Sequence, residues 1–378
     1  ALPITYVLIG WNMPDALLGA CAEETARAGA KLYRWHPTLT GDGTFVPRPE
    51  WQTIGLDGEP VPGFQDMPEF TFVCPNRPTV REAILDRVHD LLRDDRYQGF
   101  FLDRIRYPSP APDPSRLLAC FCEDCQRAAR AQNLNLENVQ RQIQAWAARP
   151  ESLHALVYEL LGCPSTDRPD ADIQALRAFL RFRAESITRF VGAVAHDVHA
   201  QGCTVGLDCF SPALTWMVGQ NLATLDAHSE WIKTMSYGHT MGPAGLPFEL
   251  LGLADWLVDG RGTEEAEAMD WLSEASELGL PATRRALLER GLAPQALGQE
   301  TRRARAAGVR NLLAGVELVD LPGITRLNKL QIAVDLRSLR AAGADGLALS
   351  WDLWHIPLER LAQVRRVWMD PCVSHKGI

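Results

Sequence analysis

Eight times along this chain a short apolar run rich in β-forming residues gives way to an amphipathic helical stretch. Strands that alternate with helices must lie parallel, because each helix carries the chain back across the sheet. The expected strands are Ile4 to Gly10, Lys31 to Trp35, Phe70 to Cys74, Gly99 to Ile105, Thr204 to Asp208, Trp231 to Ser236, Asn311 to Glu317 and Gly346 to Trp351. Between them, Val80, Ile84, Val88 and Leu91 recur at helical intervals after Thr79 and Glu82, which have the spacing of a capping box. Ile173, Leu176, Leu180, Ile187, Val191, Val194 and Val198 mark a long helix before the fifth strand, and a last helix runs from about Leu358 to Met369. Eight strands are the number that closes into a barrel filled by its own side chains. The expectation is therefore an α/β chain folded as one (β/α)8 TIM barrel over residues 1 to 378. The competitor is an open doubly wound sheet. It would carry a glycine-rich phosphate loop after its first strand, and Gly10-Trp11-Asn12-Met13-Pro14 is not one.

The stretch from Pro108 to about Pro169 is too long for a strand-to-helix loop and is expected to be an inserted subdomain, with helices near 134 to 147 and 151 to 162. The net charge of −9 disfavours a nucleic-acid backbone as partner, and no apolar run is long enough to cross a bilayer. An odd count of nine cysteines favours a reducing, cytoplasmic setting over a disulfide scaffold, with a removed leader left open because the chain starts at Ala1. A homo-oligomer is also left open.

In a barrel the active site forms where strands run into their following loops. Four expected strands finish with a carboxylate: Asp103, Asp208, Glu317 and Asp352. A carboxylate that ends an apolar run loses hydration unless something compensates, so four of them point to chemistry. The competing reading of each is a salt bridge to Arg34, Arg104, Arg106 or Lys233. Hydrolysis of an O-glycoside needs two carboxyls across the scissile bond, one protonated and one ionised. On strands four and seven, Asp103 and Glu317 face each other across an eight-stranded barrel and form the leading pair. Asp103 is expected to be nucleophile or base, held ionised by neighbouring arginines, and Glu317 the acid. The roles are exchangeable, and Asp208 can replace Glu317.

An aromatic and polar rim suits an uncharged carbohydrate substrate. Trp11, Trp35, Trp216, Trp351 and Trp354 follow or flank strand ends, where indoles stack on pyranose rings, the competing reading being that they fill the core. Asn12, His36, Tyr237, His239 and His355 supply hydrogen-bonding candidates, joined by Arg34, Arg106, Lys233 and Asp352. Cys120, Cys122 and Cys125 give a C-x-C-x-x-C arrangement that directs three thiolates to one tetrahedral ion, and Cys74 is the expected fourth ligand. Four sulfurs leave no open position for substrate, so the ion is expected to be structural zinc holding the insertion. Reduced thiols or a disulfide are the alternative.

Leu102, Asp103, Ile105, Arg106, Tyr107 and Pro108 resemble the Leu-Asp-x-Ile-Arg-Tyr-Pro motif that ends the fourth strand in a group of glycoside-hydrolase-like barrels. The resemblance extends to Cys74-Pro75-Asn76 and the cysteine cluster, about the first third of the chain, and implies Asp103 as the catalytic carboxylate. The cysteine pattern separately resembles the zinc site of family 42 β-galactosidases. Those enzymes carry Asn-Glu on strand four, whereas here Asp103 is followed by Arg104, so the likeness implies zinc and not β-galactosidase activity. Two other classes compete: a carbohydrate-binding barrel that has lost its chemistry, and a metal-dependent hydrolase. The second lacks the H-x-H or H-E-x-x-H ligand patterns.

Overall fold

A computed structural model describes residues 2–10 and 12–369. Seven parallel strands form one sheet in chain order: β1 (Tyr6–Ile9), β2 (Lys31–Pro37), β3 (Gly99–Asp103), β4 (Thr204–Cys209), β5 (Trp231–Thr234), β6 (Leu312–Glu317) and β7 (Gly346–Ser350). The sheet curls, and among the described residues β1 and β7 do not pair.

Seven of the eight expected strands are found. The expected third strand, Phe70 to Cys74, is not a strand, because β2 pairs directly with β3 and leaves no slot. Instead Val73 makes an isolated antiparallel bridge to Gln52, and Cys74 N bonds Trp51 O. Phe72, Val73 and Cys74 are buried all the same, which explains why the run reads as apolar. The strands counted fourth and seventh from sequence are thus β3 and β6.

The helix Pro78–Leu91 buries Val80, Ile84 and Val88 as their spacing predicts. Its capping box does not form: Pro78 occupies the first helical position, where its missing N–H is no loss, and this places Thr79 inside the helix. The helix Ala171–Ala200 buries all seven of the residues that announced it, and its Asp170 side chain caps Ile173 N at 2.9 Å. Helices Glu123–Arg130, Leu136–Ala147 and Leu153–Leu160 occupy the long stretch after β3, and their buried residues join one continuous core with the rest of the chain. The helix Leu358–Met369 stands where expected. No helix among the described residues is long and apolar enough to cross a membrane.

Side chains alternate across a strand, so register decides which residues share the inner face. Leu8 pairs with Tyr33, Trp35 with Phe101, Phe101 with Gly206, and Gly206 with Trp231. Their rings fill the interior: Trp231 stacks on Tyr6 and on Phe101 at centroid distances of 5.0 and 5.1 Å. Glycine is required beside such bulk, since a Cβ on Gly206 would lie 2.2 Å from the Trp231 ring and one on Gly99 2.5 Å from Tyr33. This aromatic floor lies one step below the strand ends, where the polar residues begin.

Candidate active site and metal centre

The same period carries Asp103, Asp208, Lys233 and Glu317 onto the inner face. Asp208 pairs with Lys233 in register, Phe101 with Gly206, and Glu317 with Ser350, so two-residue steps bring Asp103 beside Asp208 at adjoining strand ends. All four are buried. Asp103 accepts Trp35 Nε1 on Oδ2 at 3.0 Å and Arg104 N on Oδ1 at 2.6 Å, two donors that fix its plane. Arg104 holds a left-handed φ of 55°, a strained conformation for a non-glycine residue directly after a strand-end carboxylate.

Asp208 Oδ2 takes a hydrogen bond from Lys233 Nζ at 2.8 Å, while Oδ1 is buried without a partner. Burial pushes the Asp208 carboxyl up to about 7, helped by the charge of Asp103 and opposed by Lys233 and Arg106. Burial works against the Lys233 ammonium, but Asp208 and Tyr237 outweigh it and hold the lysine protonated. Lys233 lies under the Tyr237 ring, 5.1 Å from its centroid, and the Tyr237 hydroxyl bonds Ser350 Oγ at 2.8 Å. Trp351 meets Tyr237 edge-on at 5.7 Å and is partly exposed, so it borders this network from outside.

Glu317 belongs to a second group. Its Oε1 accepts His239 N and Thr240 Oγ1, each at 2.9 Å, and burial raises its pKa. The His239 ring turns to Asp335 at 3.0 Å, which, with Glu317, more than offsets the lowering by burial. The electrostatic neighbours of Glu317 are thus His239 and Asp335, whereas those of Asp208 are Lys233, Asp103 and Arg106.

Arg104 and Arg106 act electrostatically on Asp103 while their guanidinium groups make their own contacts elsewhere. Arg104 turns aside to Thr40 Oγ1 (3.0 Å) and the Glu69 carbonyl and lies over the Phe70 ring. Arg106 is clamped between Phe72 and Phe210, 4.3 Å from each, and burial lowers it to about 10. Arg34 and His36 do not reach the inner face. They pair with Phe100 and Leu102, whose side chains face the helices, and His36 is pushed down to about 3 by burial and by Arg87 and Arg34. Trp216 packs over Gly162, where an added Cβ would lie 2.4 Å from its ring. Asp352 caps Trp354 N at 3.0 Å and pairs with His355, and Asn12 and Trp354 are exposed. Trp11 lies outside the described residues. Glu249, unforeseen in the sequence, is buried beside Ser109 (2.5 Å) and acts electrostatically on Arg106. It arrives on the helix Leu246–Asp255, and no local pattern announces it.

The four sequence-selected cysteines converge. The sulfurs of Cys74, Cys120, Cys122 and Cys125 lie within 4.8 Å of one another, all buried. Cys74 is 3.4 Å from Cys125 and 3.5 Å from Cys122, too far for a disulfide. Sulfurs around a tetrahedral ion with bonds of about 2.3 Å sit roughly 3.8 Å apart, so the cluster suits a metal. Ile54 N and Asn76 Nδ2 donate to Cys120 and Cys125, each at 3.3 Å.

No family model and no curated protein matches the sequence. Solved structures do share the fold. Gan42B, a GH42 β-galactosidase from G. stearothermophilus, is 10% identical over 97% of this chain and 51% of that one, with a TM-score of 0.54. The β-galactosidase from Rahnella sp. R3 is 10% identical over 94% and 48%, at 0.52. The α-L-fucosidase isoenzyme 2 from Paenibacillus thiaminolyticus is 12% identical over 95% and 40%, at 0.50. The chain therefore shares the fold of these glycosidases and spans about half of their length or less.

Proposed function

We propose that the chain is a glycoside hydrolase of the (β/α)-barrel type that cleaves an O-glycosidic bond at the C-terminal ends of β3 and β4. The observation that carries this reading is the juxtaposition of Asp103 and Asp208, with Asp208 pushed up to about 7 beside a second carboxylate. Two close carboxyls with opposite protonation states are what glycoside cleavage uses. In this reading Asp208 donates its proton to the leaving glycosidic oxygen, and Asp103, oriented by Trp35 and Arg104, acts as nucleophile or as base toward water. Lys233 positions Asp208. Glu317, the acid expected from sequence, is committed through Oε1 to the loop after β5 and shapes the site wall. Trp351, partly exposed and packed edge-on against the buried Tyr237, supplies the aromatic border for a sugar ring.

The four cysteines would hold a structural zinc that anchors residues 108 to 169 as an inserted subdomain. With four sulfur ligands such an ion has no position for substrate and supplies rigidity only.

The test is hydrolysis of a panel of aryl glycosides and oligosaccharides by wild type, Asp103→Asn, Asp208→Asn and Glu317→Gln. Wild-type turnover lost by roughly 10²-fold or more in both aspartate variants supports the assignment. Full turnover in both ends it. Saccharide binding without hydrolysis, unchanged in Asp103→Asn, identifies a binding barrel instead.

A further inference from the structure

Four thiolates around a divalent ion carry a net charge of minus two, and a dianion away from water needs donors or a cation beside it. Ile54 N and Asn76 Nδ2 supply two donors. Asn76 Nδ2 also bonds Ser186 Oγ at 3.0 Å, and three residues back on the same helix, Ala171–Ala200, is Arg183, 0% exposed. A guanidinium keeps its charge in proteins, so a buried one needs an anion. Arg183 bonds only Met217 O, through Nη1 at 3.1 Å; Nε and Nη2 are buried without partners, and among the described residues no carboxylate forms an ion pair with it. Rings fix its place. Its guanidinium lies 4.9 Å over Tyr107 and 5.7 Å from Phe179, and Phe179 stacks at 4.3 Å on Phe121, the residue between Cys120 and Cys122. The Tyr107 hydroxyl is also buried without a partner. The ionisable groups acting on Tyr107 are Cys125, Cys74, Cys120 and Arg183, and those acting on Arg183 are Tyr107, Cys120 and Cys125.

We infer that Arg183, held over the Tyr107 ring, is the counter-cation of a dianionic metal–tetrathiolate centre. The inference rests on the metal reading of the four cysteines. It also ties that centre to the site: Tyr107, whose ring Arg183 covers, lies four residues beyond Asp103, and its backbone N bonds Val218 O, next to the Met217 carbonyl that Arg183 bonds.

The experiment compares wild type, Arg183→Lys, Arg183→Met and Arg183→Gln, each purified as the full chain with zinc. Bound zinc per chain is measured, then the rate at which a chromophoric chelator removes it. Wild type and Arg183→Lys should hold about one zinc, and Arg183→Met should release it roughly 10- to 100-fold faster, the usual scale for losing a partner of a metal ligand. Thermal unfolding with and without zinc separates charge from packing. Arg183→Met should lower the midpoint of the zinc-loaded protein more than that of the metal-free protein, which lacks the dianionic centre. An unchanged release rate, or an equal fall in both midpoints, overturns the inference. If Arg183→Met does not fold, Arg183→Gln, which removes the charge and keeps an N–H toward Met217 O, carries the test: a release rate equal to wild type overturns the inference and a faster one supports it. Wild type that binds no zinc defeats the metal reading itself, a result distinct from a variant that binds and releases normally.

Discussion

Replacing Lys233 with methionine should move the alkaline limb of activity upward. Lys233 Nζ sits 2.8 Å from Asp208 Oδ2, and both groups are buried. Opposite charges about 4 Å apart attract by on the order of 4 kcal/mol at an effective dielectric of 20, which corresponds to at most about three pKa units. Arg106 remains nearby and keeps part of that attraction, so a rise of at least roughly one unit is expected. With Asp208 near 7, the wild type at pH 8 retains about a tenth of its protonated acid, and the variant retains about half or more. Methionine fills the volume of the lysine stem, which preserves the packing against Phe101 and Tyr237. The assay is kcat/KM from pH 5 to 9 at constant ionic strength, on a glycoside the wild type hydrolyses, each enzyme normalised to its acid plateau. A descending limb that stays in place, or that moves to lower pH, removes Asp208 from the role of general acid.

Stability carries the same signature. The folded Asp208 is raised from 3.8 to about 7, so its contribution is present at low pH and is lost as pH climbs through that window, by up to about 4 kcal/mol. Urea unfolding of Asp208→Asn should therefore gain on wild type between pH 5 and 8, and a constant difference would contradict this. His36 has the opposite sign: lowered from 6.5 to about 3, it leaves the fold fully stable above 6.5 and weakens it as pH falls toward 3. His36→Leu should lower the acid-unfolding midpoint, and a midpoint that rises or stays fixed counts against its neutral burial. Gly206→Ala forces a Cβ to 2.2 Å from the Trp231 ring and should destabilise by roughly 1–3 kcal/mol or more in urea; an unchanged midpoint would refute the close packing. Cys125→Ser, or chelation of the wild type, should release zinc and speed proteolysis within residues 108 to 169, whereas intact resistance would detach the cluster from that segment.

What the sequence could and could not disclose follows from the range of each signal. Seven strands and the long helices were legible because hydrophobic period is local, and Asp103, Asp208 and Glu317 because a carboxylate ending an apolar run is conspicuous. Phe72, Val73 and Cys74 misled because a short buried run has the same composition whether it pairs in a sheet or packs beneath a loop, and only β2 pairing with β3 decides. Arg34 and His36 lie near a strand end, yet the two-residue period separates them from Trp35. Counting that period back from the strand ends selects Trp35, Asp103, Asp208, Lys233, Glu317 and Ser350 and rejects Arg34 and His36, so face as well as position was already encoded. No such count reaches Glu249 or Arg183. Both arrive on helices far along the chain from the groups they face, and the pairing of buried charges that fixes their place has no local pattern in the sequence.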